Sequence, residues 1–184
     1  MQSQLTEAQR VERLAPPAHP ARVVLDTDTY NEIDDQFAIV HALLSPEAMV
    51  VEALYAAPFF NRRSDSPGDG MIKSYDEIVR LLERLERSPT DFAYRGSEGY
   101  FTNPDAPYRS PAALDLVERA MAGGDDPLYV VAIGAPTNVA SAMMIEPQII
   151  DRIVVIWLGG HALHWPHTTE FNLAGDLIAS RFVL

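Results

Sequence analysis

Val23-Val24-Leu25-Asp26-Thr27-Asp28-Thr29-Tyr30-Asn31-Glu32-Ile33-Asp34-Asp35 is an apolar run that breaks into five acidic residues within ten positions. Residues 23–25 read as a short strand buried on both faces, as in a parallel sheet, and residues 36–44 as the apolar helix that follows. The acids therefore fall where a strand feeds a helix. In open α/β sheets that carboxyl end of a strand is where ligands bind. Crowded carboxylates repel one another, and a hard cation such as Ca²⁺ or Mg²⁺, which takes oxygen ligands, removes the repulsion. One acid could serve as a helix cap, since Asp at Asp34 or Asp35 suits the positive end of a helix dipole. Asp26, Asp28, Asp34 and Asp35 together are too many for capping alone.

The same alternation continues along the chain. Residues 49–57 form a second β-like run, followed by Pro58-Phe59-Phe60-Asn61 and a polar loop. Ile72, Tyr75, Ile78, Leu82 and Leu85 then recur at helical spacing. Residues 91–94 suit a short strand, residues 111–121 a helix opened by proline, and residues 128–133 a buried strand leading through Gly134-Ala135-Pro136-Thr137-Asn138 into a helix over 139–145. Residues 153–158 reach Gly159-Gly160 as a further strand, and residues 176–184 read as a helix still running at the last residue. This β-α alternation predicts an α/β, Rossmann-like fold, a mostly parallel sheet with helices on both faces.

With 184 residues, 47% hydrophobic and 22% charged, the chain can bury the core of one α/β domain, taken as residues 22–184. Residues 1–21 are polar and proline-rich and read as a loose N-terminal arm. They lack the apolar centre of a signal peptide, and no run nears the roughly 18 apolar residues of a membrane span, so a cytoplasmic location is expected. A net charge of -12 argues against nucleic-acid and anionic-membrane partners, which need clustered Lys and Arg. The absence of Cys excludes disulfides, thiolate metal sites and a Cys nucleophile.

Four segments fall at candidate strand ends: residues 26–35, Asn61, residues 134–138 and residues 159–172. Their motifs, Asp26-Thr27-Asp28 with Asp34-Asp35, Ala57-Pro58-Phe59-Phe60-Asn61, Gly134-Ala135-Pro136-Thr137-Asn138, and Gly159-Gly160 followed by Glu170-Phe171-Asn172, resemble in order and spacing those of the nucleoside hydrolases, the inosine-uridine-preferring N-ribohydrolases. The resemblance spans about residues 22–184 and implies the N-terminal part of that fold. It implies a Ca²⁺ held by Asp28, Asp35 and the backbone carbonyl of Thr137, with Asp28 as general base toward water. Asp34, Asn61, Glu170 and Asn172 would hold ribose hydroxyls. The implied reaction is hydrolysis of the N-glycosidic bond of a ribonucleoside or related ribosyl compound, with a small-molecule nucleoside as partner and a homo-oligomer as the whole protein's state.

The chain departs from the family pattern in three places. Five residues, Thr29 to Ile33, separate Asp28 from the Asp pair where three are usual; Leu158 precedes Gly159-Gly160 where Met is common; and His164 stands where an Asn is frequent. Family members are also longer, with a further Asp ligand and often a His acid in the distal half, so the chain is expected to be a fragment. Taken alone, Asn61 and Asn138 also suit turns or helix caps, and His161, His164 and His167 suit an irregular loop better than a transition-metal face. Two other functions fit parts of the sequence. Asp26-Thr27-Asp28-Thr29 is similar to the nucleophile loop of haloacid-dehalogenase-like phosphatases, with Asp26 as nucleophile, Asp28 as acid/base and Mg²⁺ as cofactor. A non-catalytic sugar- or nucleoside-binding fragment is the third possibility.

Overall fold

The computed structural model describes residues 4–18, 20–124 and 126–184. Five strands form one all-parallel sheet: β1 (Ala21–Thr27), β2 (Met49–Ala56), β3 (Ala93–Arg95), β4 (Leu128–Ala132) and β5 (Ile153–Trp157), in the order β3-β2-β1-β4-β5. β1 is central and alternates its side chains between two cores. Leu25 faces Leu54, Ala56 and the helices α2 (Ile33–Leu43) and α3 (Pro67–Arg84). Val24 faces Ala53, Val130 and the helices α4 (Pro111–Ala122) and α5 (Thr137–Ile145). The mostly parallel sheet with helices on both faces is thus present, and its continuous apolar strands follow from burial on both sides.

Local chemistry sets the helix starts. Ser66 caps α3 through its bond from the Asp69 N–H, with Pro67 in the first turn, and Ser110 caps α4 in the same way ahead of Pro111. Asp176 caps α7 (Leu177–Val183) by accepting from Ala179 N–H, after the one-turn α6 (Phe171–Gly175). α2 starts three residues before the span its apolar pattern suggested. Asp34 and Asp35 lie in its first turn, and the capping position belongs to Glu32, which makes no side-chain cap bond. The two acids are therefore not caps.

Within the N-terminal arm, α1 (Glu7–Arg13) is closed by a Thr6–Gln9 capping box. Gln4 donates its N–H to the Asp151 carboxylate at 3.0 Å, and the Arg13 guanidinium donates to the Asp151 carbonyl. The arm that composition presents as loose thus carries a helix held at the turn before β5. Among the described residues, no helix is long and apolar enough to cross a membrane.

The loop after β3 passes close beneath β2. A Cβ on Gly96 would lie 1.9 Å from the Ala56 carbonyl oxygen and 2.5 Å from Asn138 Nδ2. Because one of those neighbours is backbone, Gly96→Ala is expected to destabilise the fold by about 3 kcal/mol, the upper range for overpacking. Urea denaturation measures this, and a neutral substitution would refute the close approach.

Candidate active site at the carboxyl ends of β1 and β4

The chain runs outward from β1 through β2 to β3 on one side of the sheet, and from β4 to β5 on the other. The direction reverses between β1 and β4. Such a switch point opens a crevice at the carboxyl ends of the two strands. Asp26 and Asp28 arrive there from β1, and Gly134 and Thr137 from β4.

Asp28 is 2% exposed. Its Oδ2 accepts from Asn31 Nδ2 at 2.9 Å, within a turn closed by the Asn31 N–H bonding the Asp28 carbonyl at 2.7 Å. Its Oδ1 lies 3.1 Å from where a Cβ would stand on Gly134, so only glycine leaves this side of the carboxylate uncrowded. Asn31 Oδ1 in turn accepts from Asn61 Nδ2 at 2.6 Å, and Asn61 Oδ1 accepts from the Arg63 N–H. The structure therefore links Asp28 and Asn61 through Asn31. Asp35, also buried, accepts from Thr27 Oγ1 at 2.5 Å. Asp34 is exposed on the outer side of α2, in a shallow cleft with Glu32, Gln36 and Arg63.

Burial and mutual repulsion hold these acids toward their protonated forms. Asp28 is pushed up to about 8, first by burial and then by the charge of Asp35. Asp26 rises to about 7 and Asp35 to about 6, each chiefly through burial. Three raised carboxyls within ten residues make a positive charge at the site favourable.

Behind them lies a buried clamp. Asn138 is fully buried, and its Nδ2 donates to Asp26 Oδ1 at 2.8 Å and to the Ala56 carbonyl at 3.2 Å. Its Oδ1 accepts from the Ser97 N–H at 2.7 Å and from Ser97 Oγ at 2.8 Å. One amide thus ties the carboxyl ends of β1 and β2 and the loop after β3 to the first turn of α5. Asn138 is not the cap of α5, a place taken by Pro136. Thr137 is fully buried, and its Oγ1 donates to Asp176 Oδ2, which also accepts from the Phe101 N–H.

Glu170 and Asn172 close the β5 side. The Glu170 carboxylate accepts from the Gly160, Asn172 and Leu173 N–H groups, and Asn172 Nδ2 donates to the Ile133 and Leu158 carbonyls at the ends of β4 and β5. Both residues hold the loop in place. A carboxylate offers about four acceptor positions, so Glu170 keeps one, and the Asn172 amide oxygen is still an acceptor. In the intervening loop His161, Trp165 and His167 cluster, with His161 and His167 rings 4.9 Å apart and Trp165 Nε1 donating to His167 at 3.2 Å.

Sequence reading missed Asn31, Ser97 and Tyr100. Burial, then the charge of Asp28, raises the Tyr100 hydroxyl to about 12, so it stays a neutral donor beside the acids. The extended acidic loop was the one available signal for Asn31.

The donors fit a hard cation in kind. Asp26 Oδ2 is buried without a hydrogen-bond partner, Asp28 and Asp35 are carboxylates, and Thr137 adds a backbone carbonyl. Among the described residues no group of three His, Cys, Asp or Glu side chains is arranged to hold a metal. Asp26, the nucleophile of the phosphatase reading, is fully buried and bound to Asn138.

A parallel sheet with carboxylates and a Thr-Asn turn at its switch point defines the class, an open α/β fold with its ligand crevice at the carboxyl ends of the strands. No protein-family model matches the chain. It is 31% identical over 177 residues to the non-specific ribonucleoside hydrolase RihC of Salmonella schwarzengrund, covering 88% of this chain and 56% of that protein. It is 27% identical over 184 residues to the pyrimidine-specific ribonucleoside hydrolase RihA of Salmonella arizonae, with the same coverage. Among solved structures, an inosine-guanosine nucleoside hydrolase aligns with a TM-score of 0.69 at 19% identity, covering 89% of this chain and 58% of that one. The chain is similar in sequence and in fold to the nucleoside hydrolases and spans a little over half the length of these relatives.

Proposed function

We propose that the protein hydrolyses the N-glycosidic bond of ribonucleosides or related ribosyl compounds, with Ca²⁺ as cofactor. The observation that carries this reading is the linked set Asp28–Asn31–Asn61 at the switch point, which places a buried carboxylate beside an amide suited to a sugar hydroxyl. Ca²⁺, held by Asp28, Asp35 and the Thr137 carbonyl, would supply positive charge that keeps the carboxylates ionised and lowers the pKa of water. Asp28 takes a proton from the water that attacks the anomeric carbon as the bond to the base breaks through an oxocarbenium-like state. Asn61 and the acceptor positions left on Glu170 and Asn172 hold ribose hydroxyls, which fixes the attacked face; Asp34, on the outer side of α2, stands apart from them. Tyr100 adds a neutral donor on the same side. The relatives' names, ribonucleoside hydrolases of broad and of pyrimidine preference, support the reaction class.

The test is release of reducing sugar from a panel of purine and pyrimidine nucleosides, with Ca²⁺ and with chelator. Chelator-sensitive release is expected. Absence of release both from this chain and from the chain carrying the relatives' remaining length would overturn the proposal.

A further inference from the structure

The five-residue spacing between Asp28 and Asp34 brings an amide into the site. Asn31 is 4% exposed, and both ends of its side chain are engaged by residues of the proposed reaction, Asp28 at 2.9 Å and Asn61 at 2.6 Å. Its backbone N–H closes the turn on the Asp28 carbonyl, so the side chain is not needed for the turn itself. The amide can donate to only one Asp28 oxygen in this geometry, and it takes Oδ2. The other oxygen, Oδ1, lies against Gly134, 3.1 Å from where a Cβ would stand there.

We infer that Asn31 is a positioning residue that fixes the Asp28 carboxylate by Oδ2, so that Oδ1 is the oxygen presented to a divalent cation and to the attacking water, and that it sets Asn61 in register with it. The inference rests on the cation reading of the site. A carboxylate free to rotate spreads its oxygens over several orientations, and a cation must then select one at an entropic cost. Partners of this kind, behind a metal ligand, typically contribute about 10- to 100-fold in metal affinity or activity. Asn61 shares the effect, because without Asn31 its Nδ2 loses the acceptor that holds it.

Calorimetric titration with Ca²⁺ alone, on the wild-type chain and on Asn31→Ala, together with the melting temperature of each in chelator, tests the inference. Asn31→Ala is expected to weaken Ca²⁺ binding by about 10-fold or more, together with a lower chelated melting temperature from the two hydrogen bonds it removes. A residue that only braces the loop would lower the chelated melting temperature and leave the affinity unchanged, and unchanged affinity would overturn the inference while leaving the cation reading in place. A wild-type chain that binds no Ca²⁺ would remove both. Should Asn31→Ala fail to fold, Asn31→Ser keeps a polar side chain and the turn but cannot span Asp28 and Asn61, and it is expected to show the same loss of affinity.

Discussion

Asn138→Leu is expected to lower the stability of the fold by about 4 kcal/mol, measured by urea denaturation at neutral pH. Leucine has the branching and heavy-atom count of asparagine but more bulk, so the loss is chiefly one of hydrogen bonds with some overpacking added. The Asp26 carboxylate, the Ala56 carbonyl, and the Ser97 N–H and hydroxyl all lose a partner. Each polar group left buried and unpaired costs about 1–3 kcal/mol, and partial relaxation or water entry recovers some of the total. A loss under about 1 kcal/mol, the worth of one ordinary hydrogen bond, would mean that the clamp is not the joint between the strand ends described above.

Asp28→Asn should act in two opposite directions. Toward function, it removes the proposed general base and a cation ligand, and sugar release is expected to fall by about 10³-fold, within the usual range for loss of a positioned base. Toward the metal-free fold, it should be stabilising above neutral pH. The folded-state pKa of Asp28, about 8, lies above its ordinary value of 3.8. The native state therefore binds a proton that the unfolded chain has released, and stability falls as pH rises between those values. Asp26 and Asp35, raised to about 7 and about 6, act with the same sign. In chelator, then, the wild type should melt higher at pH 5 than at pH 8, and Asp28→Asn should flatten that slope. Added Ca²⁺ should restore wild-type stability at pH 8 by binding the native state and do little for the variant. A chelated wild type whose melting temperature is level across this range would contradict the burial of ionisable carboxyls.

The sheet was legible because its strands are short apolar runs and its helices carry either an amphipathic stripe, as in α3, or a proline start, as at Pro111 of α4, whereas the Ser66-Pro67 start of α3 falls in a stretch that reads as a polar loop. The acids at Asp26, Asp28 and Asp35 were legible through their density. Asn138 shows why the rest was not. At a helix start its residue type suggests a turn or a cap, whereas its partners Ser97, Ala56 and Asp26 are 41, 82 and 112 positions away. No local pattern encodes such pairings. Glu170 and Asn172 were visible only through a motif, and their bonds to Gly160, Ile133 and Leu158 depend on how strand ends meet. Tyr100 lies in an aperiodic connection, where neither spacing nor neighbours mark it. The helix in the arm escaped for a different reason: α1 buries no residue, so it has no apolar stripe, and its evidence is the Thr6–Gln9 box alone.

That arm has a practical bearing on how the molecule can be handled. Gln4 and Arg13 reach Asp151, two residues before β5 begins, at the end of the sheet where the parallel strands start. The carboxylates stand at the end where they finish, about 20 Å away at the usual rise along the seven-residue β1. A surface tether or affinity handle attached through the arm would therefore hold the molecule by one pole and leave the crevice facing solution at the other.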